Sequence, residues 1–233
     1  MADRVAVIVG AGSGLSAALA RRFAEEGYRI ALAARDTEKL ANLAAKTGAE
    51  TYRCDVSVAT DVDKLFADVA ADLGTPEVAI FNASRRARGP IQDVDPEEFK
   101  AAILTTAFGG FLVGRAAAKL MIPAGQGTIF FTGASAGVKG FPQSAAFAMG
   151  KFGLRGLAQS MARELQPQNI HVVHVVVDGG IMNADREGRL GNERGPDGWL
   201  DPDAIADTYY HLHTQHRSAW SWEIEVRPWI EKF

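Results

Sequence analysis

Hydrophobic positions along the chain fall into short unbroken runs that alternate with helical stripes. Val5 to Val9 is one such run, the pattern of a strand buried on both faces. Glycines at positions 10, 12 and 14 follow it, and Ala17, Ala18, Leu19, Ala20 and Phe23 then recur at helical spacing. A second strand, Arg29 to Ala34, begins after Gly27-Tyr28. Asp36-Thr37-Glu38 caps a helix whose Leu40, Leu43 and Ala44 share a face and which Gly48 stops. Glu50 to Arg53 reads as a short strand running into Cys54-Asp55-Val56. Asp61 to Leu73 is a helix with Val62, Leu65, Phe66 and Val69 on one stripe. Gly74-Thr75-Pro76 breaks it, and Val78 to Phe81 is the next buried strand. The pattern continues with a long helix from Pro96 to about Met121, a strand from Gly127 to Thr132, a helix from Ser144 to Leu165, and the β-branched run Ile170 to Val177. Asp201-Pro202-Asp203 starts a last helix, and Trp222 to Val226 makes an edge strand.

Strict alternation of strand and helix predicts an α/β fold, a doubly wound parallel sheet with right-handed crossovers. With 233 residues and 47% hydrophobic content, one large core and one domain over 1–233 are expected. The stretch 178–200 holds six glycines and a proline, and its length suggests a mobile lid over a site. A formal charge of −3 gives no electrostatic case for nucleic acid or an anionic membrane. No apolar run is read as long enough to span a membrane. One cysteine, Cys54, excludes an internal disulfide, and with no room for a signal peptide ahead of Val5 the expected location is cytoplasmic.

A strand, a glycine turn and a helix N-terminus together make an anion site, because free N–H groups and the positive helix end point at a phosphate. Here those residues are Gly10, Ser13, Gly14 and Leu15. A tight strand-to-helix turn explains the glycines as well, but the second strand that follows favours dinucleotide binding. That second strand ends Ala34-Arg35 with no acid at Ala34. Arginine offers a planar, permanent cation to a ribose 2′-phosphate, so NADP is favoured over NAD, the alternative being an exposed arginine at a helix entry. His211, His213 and His216 are spaced by two and three, which argues against a metal site. Arg85, Arg86 and Arg88 follow the fourth strand, either as a solvated basic loop or as a hold on an anionic substrate.

These motifs resemble the short-chain dehydrogenases/reductases over essentially the whole chain. Gly10 to Gly14 matches the family's phosphate turn, Asp55-Val56 its adenine pocket, and Asn82-Ala83-Ser84 its Asn-Ala-Gly strand end. Lys151 matches its active-site lysine. The resemblance implies a Rossmann-type sheet of seven parallel strands, a small-molecule substrate, and homodimers or homotetramers formed through the two long helices. It also implies that Ile181 offers its backbone to the nicotinamide amide. Departures concentrate at the reaction centre. The family's tyrosine, four residues before the lysine, is Phe147 here; its serine is Ala134; and the asparagine of the preceding helix falls at Thr106. Asp178-Gly179 replaces Pro-Gly, Asn183 stands at a threonine position, and Ser16 at a glycine.

A general acid contributes roughly 10²–10⁴-fold to rate and an oxyanion donor about 10²–10³-fold. Two readings therefore stay open: an oxidoreductase whose proton comes from water, Lys151 or a shifted hydroxyl such as Ser135, or a cofactor-binding sensor or oligomer partner without chemistry. Lys151, Ser135 and Thr106 are the candidate catalytic residues. Tyr209 and Tyr210 are expected to pack under the lid.

Overall fold

Alternate side chains of the first strand enter different cores. Val5, Val7 and Val9 join one cluster, whereas Ala6 and Ile8 join the other, as the two-residue period of a doubly covered strand requires. The computed structural model describes residues 4–183, 195 and 197–231. Its elements in order are β1 Val5–Val9, α1 Leu15–Glu25, β2 Arg29–Ala34, α2 Ala41–Thr47, β3 Glu50–Arg53, α3 Ala59–Asp72 and β4 Val78–Phe81. There follow α4 Pro96–Ile103, α5 Gly109–Ala124, β5 Gly127–Thr132, α6 Ala145–Leu165, β6 Ile170–Val177, α7 Pro202–His213 and β7 Glu223–Val226.

The seven strands form one sheet in the order β3-β2-β1-β4-β5-β6-β7, every pair parallel. Leu112, Val113 and Ala117 of α5 and Leu154 and Ala158 of α6 cover one face together with Val62 and Phe66 of α3. Ala18, Leu19 and Phe23 of α1 and Ile205 and Tyr209 of α7 cover the other. Strand order reverses between β1 and β4, and such a switch point opens a crevice at the carboxyl ends of the strands.

Several elements differ from the sequence pattern. The segment after β2 begins as a 3-10 turn, Glu38–Leu40, and α2 buries none of its own residues. Helix α3 starts at Ala59, two residues before Asp61, with Val58 extended ahead of it. The long helix is not uniform: Leu104–Phe108 is π-helical, and the helix continues past Met121 to Ala124. Pro96–Ala124 is also long and apolar enough by composition to cross a membrane, contrary to the expectation of no such run. Its apolar side chains, Leu112, Val113, Ala117 and Met121, pack into the core.

Tyr209 and Tyr210 both have partners in the body of the fold. Tyr209 is fully buried on Phe130 with its hydroxyl 2.9 Å from Thr132 Oγ1, and the Tyr210 hydroxyl donates to Glu26 at 2.8 Å. Of the expected lid, residues 184–194 and 196 lie outside the described residues.

Candidate active site

Gly10 ends β1 with φ +85, and a Cβ placed there would stand 2.5 Å from the backbone nitrogen of Ala83. Only glycine fits, so β1 and the end of β4 meet backbone to backbone. Ser16 reinforces that junction: its Oγ donates to Gly10 O at 3.2 Å and accepts from Asn82 Nδ2 at 2.7 Å. The serine at the family's glycine position is thus a bracket between turn and strand. Leu15 begins α1 and is buried, and the N-cap residue, Gly14, has no side chain to cap that helix end. Ser13 Oγ reaches Asn183 Oδ1 at 3.4 Å, and Asn183 Nδ2 lies 3.2 Å from where a Cβ of Gly14 would be. Asn183 therefore lies across the glycine turn.

A cleft of 690 Å³ opens from this turn along the carboxyl ends of β1, β2 and β4. Gly10, Ser13, Arg35, Asp55, Val56, Asn82, Ala83 and Ser84 all line it, and the structure adds Lys39, Cys54 and Thr105. Lys39 Nζ pairs with Asp36 at 2.8 Å. Its nearness in sequence to Arg35 was the available signal, although Arg35 lies in a bend and Lys39 in the 3-10 turn that follows. Hydrogen bonds from Ser57 Oγ at 2.6 Å and Ser57 N at 3.0 Å hold the Asp55 carboxyl below the usual carboxylate range, with Arg35 and Arg53 adding charge. Burial pushes the Cys54 thiol up to about 12, so it is no nucleophile near neutrality. At Gly12, which lines the cleft, nothing lies within 4 Å of where a Cβ would be, and the far wall carries two cations. These residues fit a dinucleotide with an extra phosphate.

At the other end, Lys151 is buried and donates to the Thr132 carbonyl at 2.6 Å. Burial, with the nearby Arg86 charge, lowers its ammonium to about 7. Phe147 is also buried, its ring 5.8 Å from Lys151 Nζ and 4.0 Å from the Arg86 guanidinium carbon. Ala134 is extended and leads into a short turn that begins at Ser135. Ser135 and Phe147 line a second cavity, of 340 Å³. Lys151 lines neither cavity. Thr106 is fully buried; its Oγ1 accepts the Arg85 N–H at 3.3 Å, while Thr105 faces the large cleft. Ile181 pairs with Leu200 as an isolated parallel bridge.

Two buried groups were not anticipated. Asp178 pairs with Arg227 Nη2 at 3.0 Å and with Lys139 Nζ at 3.9 Å, tying the loop after β6 to the end of β7. His174 Nδ1 lies 2.9 Å from Glu223 Oε2, and Arg155 grips the same carboxylate at 2.7 Å through both Nε and Nη2. His213 is structural as well, 2.6 Å from the Tyr28 hydroxyl and 2.8 Å from Thr128 Oγ1.

Residues 4–193 match the family model described as short chain dehydrogenase. A short-chain dehydrogenase/reductase of Armillaria gallica is 34% identical over 177 residues, covering 72% of this chain and 68% of its own. Among solved structures, a short-chain dehydrogenase from Rhodopseudomonas palustris superposes with TM-score 0.84 at 36% identity, covering 97% of this chain and 99% of its own. A metagenomic short-chain oxidoreductase in complex with NADP gives TM-score 0.82 at 32% identity, with 97% of each chain covered.

Proposed function

The chain belongs to the short-chain dehydrogenase/reductase family, and from that membership we propose that it is an NADP(H)-dependent oxidoreductase acting on a small molecule. The observation that carries the cofactor choice is the pair Arg35 and Lys39 on the cleft wall beyond β2. Gly10, Ser13, Gly14 and Leu15 would hold the pyrophosphate, Arg35 and Lys39 the 2′-phosphate, and Asp55 and Val56 the adenine. Asn82, Ala83 and Ser84 would line the nicotinamide half, with the Ile181 backbone and Lys151 beyond. When bound, the nicotinamide supplies or accepts the hydride.

In this reading Phe147 stands in place of the family's tyrosine and Ala134 in place of its serine, so this chain has no phenol at that point. Lys151 is the group that holds the proton. An ammonium lowered to about 7 sits near the optimum for an acid at neutral pH. Ser135, on the wall of the 340 Å³ cavity, is the nearest hydroxyl in sequence to the family's serine position and serves as donor to the substrate oxygen. Substrates that need only weak acid assistance, such as activated carbonyls or conjugated double bonds, suit this arrangement.

A second reading has its own support. Lys151 is 3% exposed and bonded to a main-chain carbonyl, which favours a cofactor-binding protein without turnover. NADPH oxidation over a panel of carbonyl and enoyl compounds, beside a direct NADPH titration, separates the two. Turnover of any activated acceptor supports the enzyme; tight NADPH binding with no turnover supports the sensor; and no NADPH binding rejects both.

A further inference from the structure

Three arginines lie within four residues after β4, and each has a different environment. Arg85 Nη2 meets Glu98 Oε2 at 2.6 Å, so a carboxylate of the same chain already neutralises it. Arg86 stacks on Phe147, and its charge is one cause of the lowered Lys151 ammonium. Arg88 has no hydrogen-bond or ion-pair partner among the described residues. Arg86 and Arg88 nonetheless share the wall of the 340 Å³ cavity, together with Ser135, Ser144, Phe141 and Phe147. No carboxylate of the described residues lines that cavity. The wall is also tied in place, since Gly89 N donates to Gln143 O at 3.3 Å, joining the arginine loop to the loop before α6.

A concave site with two guanidinium groups, hydroxyls, aromatic walls and no acid among the described residues is electropositive. Both side chains are exposed to solvent, yet Arg86 rests on the Phe147 ring and Arg88 lines the same concave wall, so their charges converge on one open cavity. We propose that this cavity binds the carboxylate of an anionic substrate, with Arg88 as the principal grip and Arg86 as the second charge. One unmatched guanidinium balances one carboxylate, and its planar fork matches the two oxygens. The apolar part of the substrate then lies against Phe147 and Phe141. This deepens the oxidoreductase reading and rests on it only for what becomes of the molecule once bound.

The test is calorimetric titration of the full chain, with and without NADP+, using phenylglyoxylate and its methyl ester as probes. The two differ in charge and share the activated ketone. The acid is expected to bind about ten- to a hundredfold more tightly than the ester, the range of a hydrogen bond to a charged group. Arg88→Ala should bring that ratio toward unity, and Arg88→Lys should keep part of it; circular dichroism checks that both variants fold. Equal affinity for acid and ester, no binding of either, or a preference that survives Arg88→Ala overturns the proposal. Its fate is separable from that of the oxidoreductase reading. An acid preference that depends on Arg88 without NADPH oxidation keeps the anion site and rejects the enzyme. NADPH oxidation with no preference for the acid does the reverse.

Discussion

Arg35 and Lys39 divide the recognition of a 2′-phosphate unequally. Lys39 shares its ammonium with Asp36 at 2.8 Å, whereas no ion pair involves Arg35 among the described residues. NADPH should therefore bind more tightly than NADH by about ten- to a hundredfold, the range of a charge-assisted bond. Arg35→Ala should erase most of that difference and Lys39→Ala a smaller part. Fluorescence titration with both cofactors reads it, and equal affinities in the unmutated chain would end the idea. At the reaction centre, Phe147→Tyr with Ala134→Ser should bring in ketone reduction, each single change gaining less. Arg86 at 4.0 Å from the ring and Lys151 beyond it would both favour a phenolate. A folded, NADPH-binding double variant with no gain on a ketone panel would show that more than two side chains separate this pocket from the family's. Arg35 and Asn82 were legible in the sequence because each directly follows a strand, whereas Lys151, inside α6, was legible only through the family resemblance. Thr106 was assigned only through the family resemblance, as the counterpart of its helix asparagine; it lies in the π-helical turn Leu104–Phe108 and packs against Gly150, while its neighbour Thr105 lines the cleft.

Among the elements, the strands were the most legible, since unbroken apolar runs have one use in a doubly covered sheet. Helix interiors were less so. The glycines of α5 and α6 read as close-packing residues without saying against what. A Cβ at Gly110 would come within 2.3 Å of Leu154, and one at Gly114 within 2.9 Å of Met161. They join α5 to α6 inside one chain. The π-helical segment has a similar origin, lying where a Cβ at Gly109 would meet Val56 at 3.0 Å and one at Gly150 would meet Thr106 at 3.0 Å. Such wide turns are frequent at functional sites. The turn between β1 and α1 gives a contrast to measure. Gly10→Ala places a methyl group at φ +85 and 2.5 Å from Ala83 N, whereas a methyl at Gly12 meets nothing within 4 Å. Gly10→Ala should cost about 1–3 kcal/mol of stability and weaken NADPH binding, and Gly12→Ala should leave the urea midpoint nearly unmoved. Matching midpoints for the two variants would remove the claim that main chain meets main chain there.

For the whole molecule, buried bases set the pH dependence of stability. His171 and His174 are held below the ordinary 6.5 chiefly by burial, although Glu223 beside His174 opposes the shift and Lys151 and Arg155 add to it. The unfolded chain takes up those protons near about pH 6.5 while the folded chain refuses them, so stability falls as pH drops through that value. Lys151 acts in the same sense at higher pH. The unfolded lysine stays protonated up to about pH 10.4 and the folded one only to about 7, so its contribution rises with pH across that window. Urea midpoints should be lower at about pH 5.5 than at about pH 7.5, and a flat profile would contradict this. Assembly follows from what the helices leave outside. With Gly109, Gly110, Gly114 and Gly150 buried, α5, α6 and the π segment expose Phe108, Phe111, Met149 and Phe152, each between 39% and 57% accessible, the first two rings 6.0 Å apart. Exposed apolar side chains of this size mark an interface, and a self-complementary patch closes under twofold symmetry. The chain should therefore be a homodimer, or a tetramer built from one, at micromolar concentration. Phe111→Asp with Phe152→Asp places two charges on each copy of that face and should shift the mass to a monomer that still binds NADPH, because neither side chain lines the cleft. Light scattering reads the outcome: a monomeric unmutated chain, or a double variant that stays oligomeric, would put the interface elsewhere.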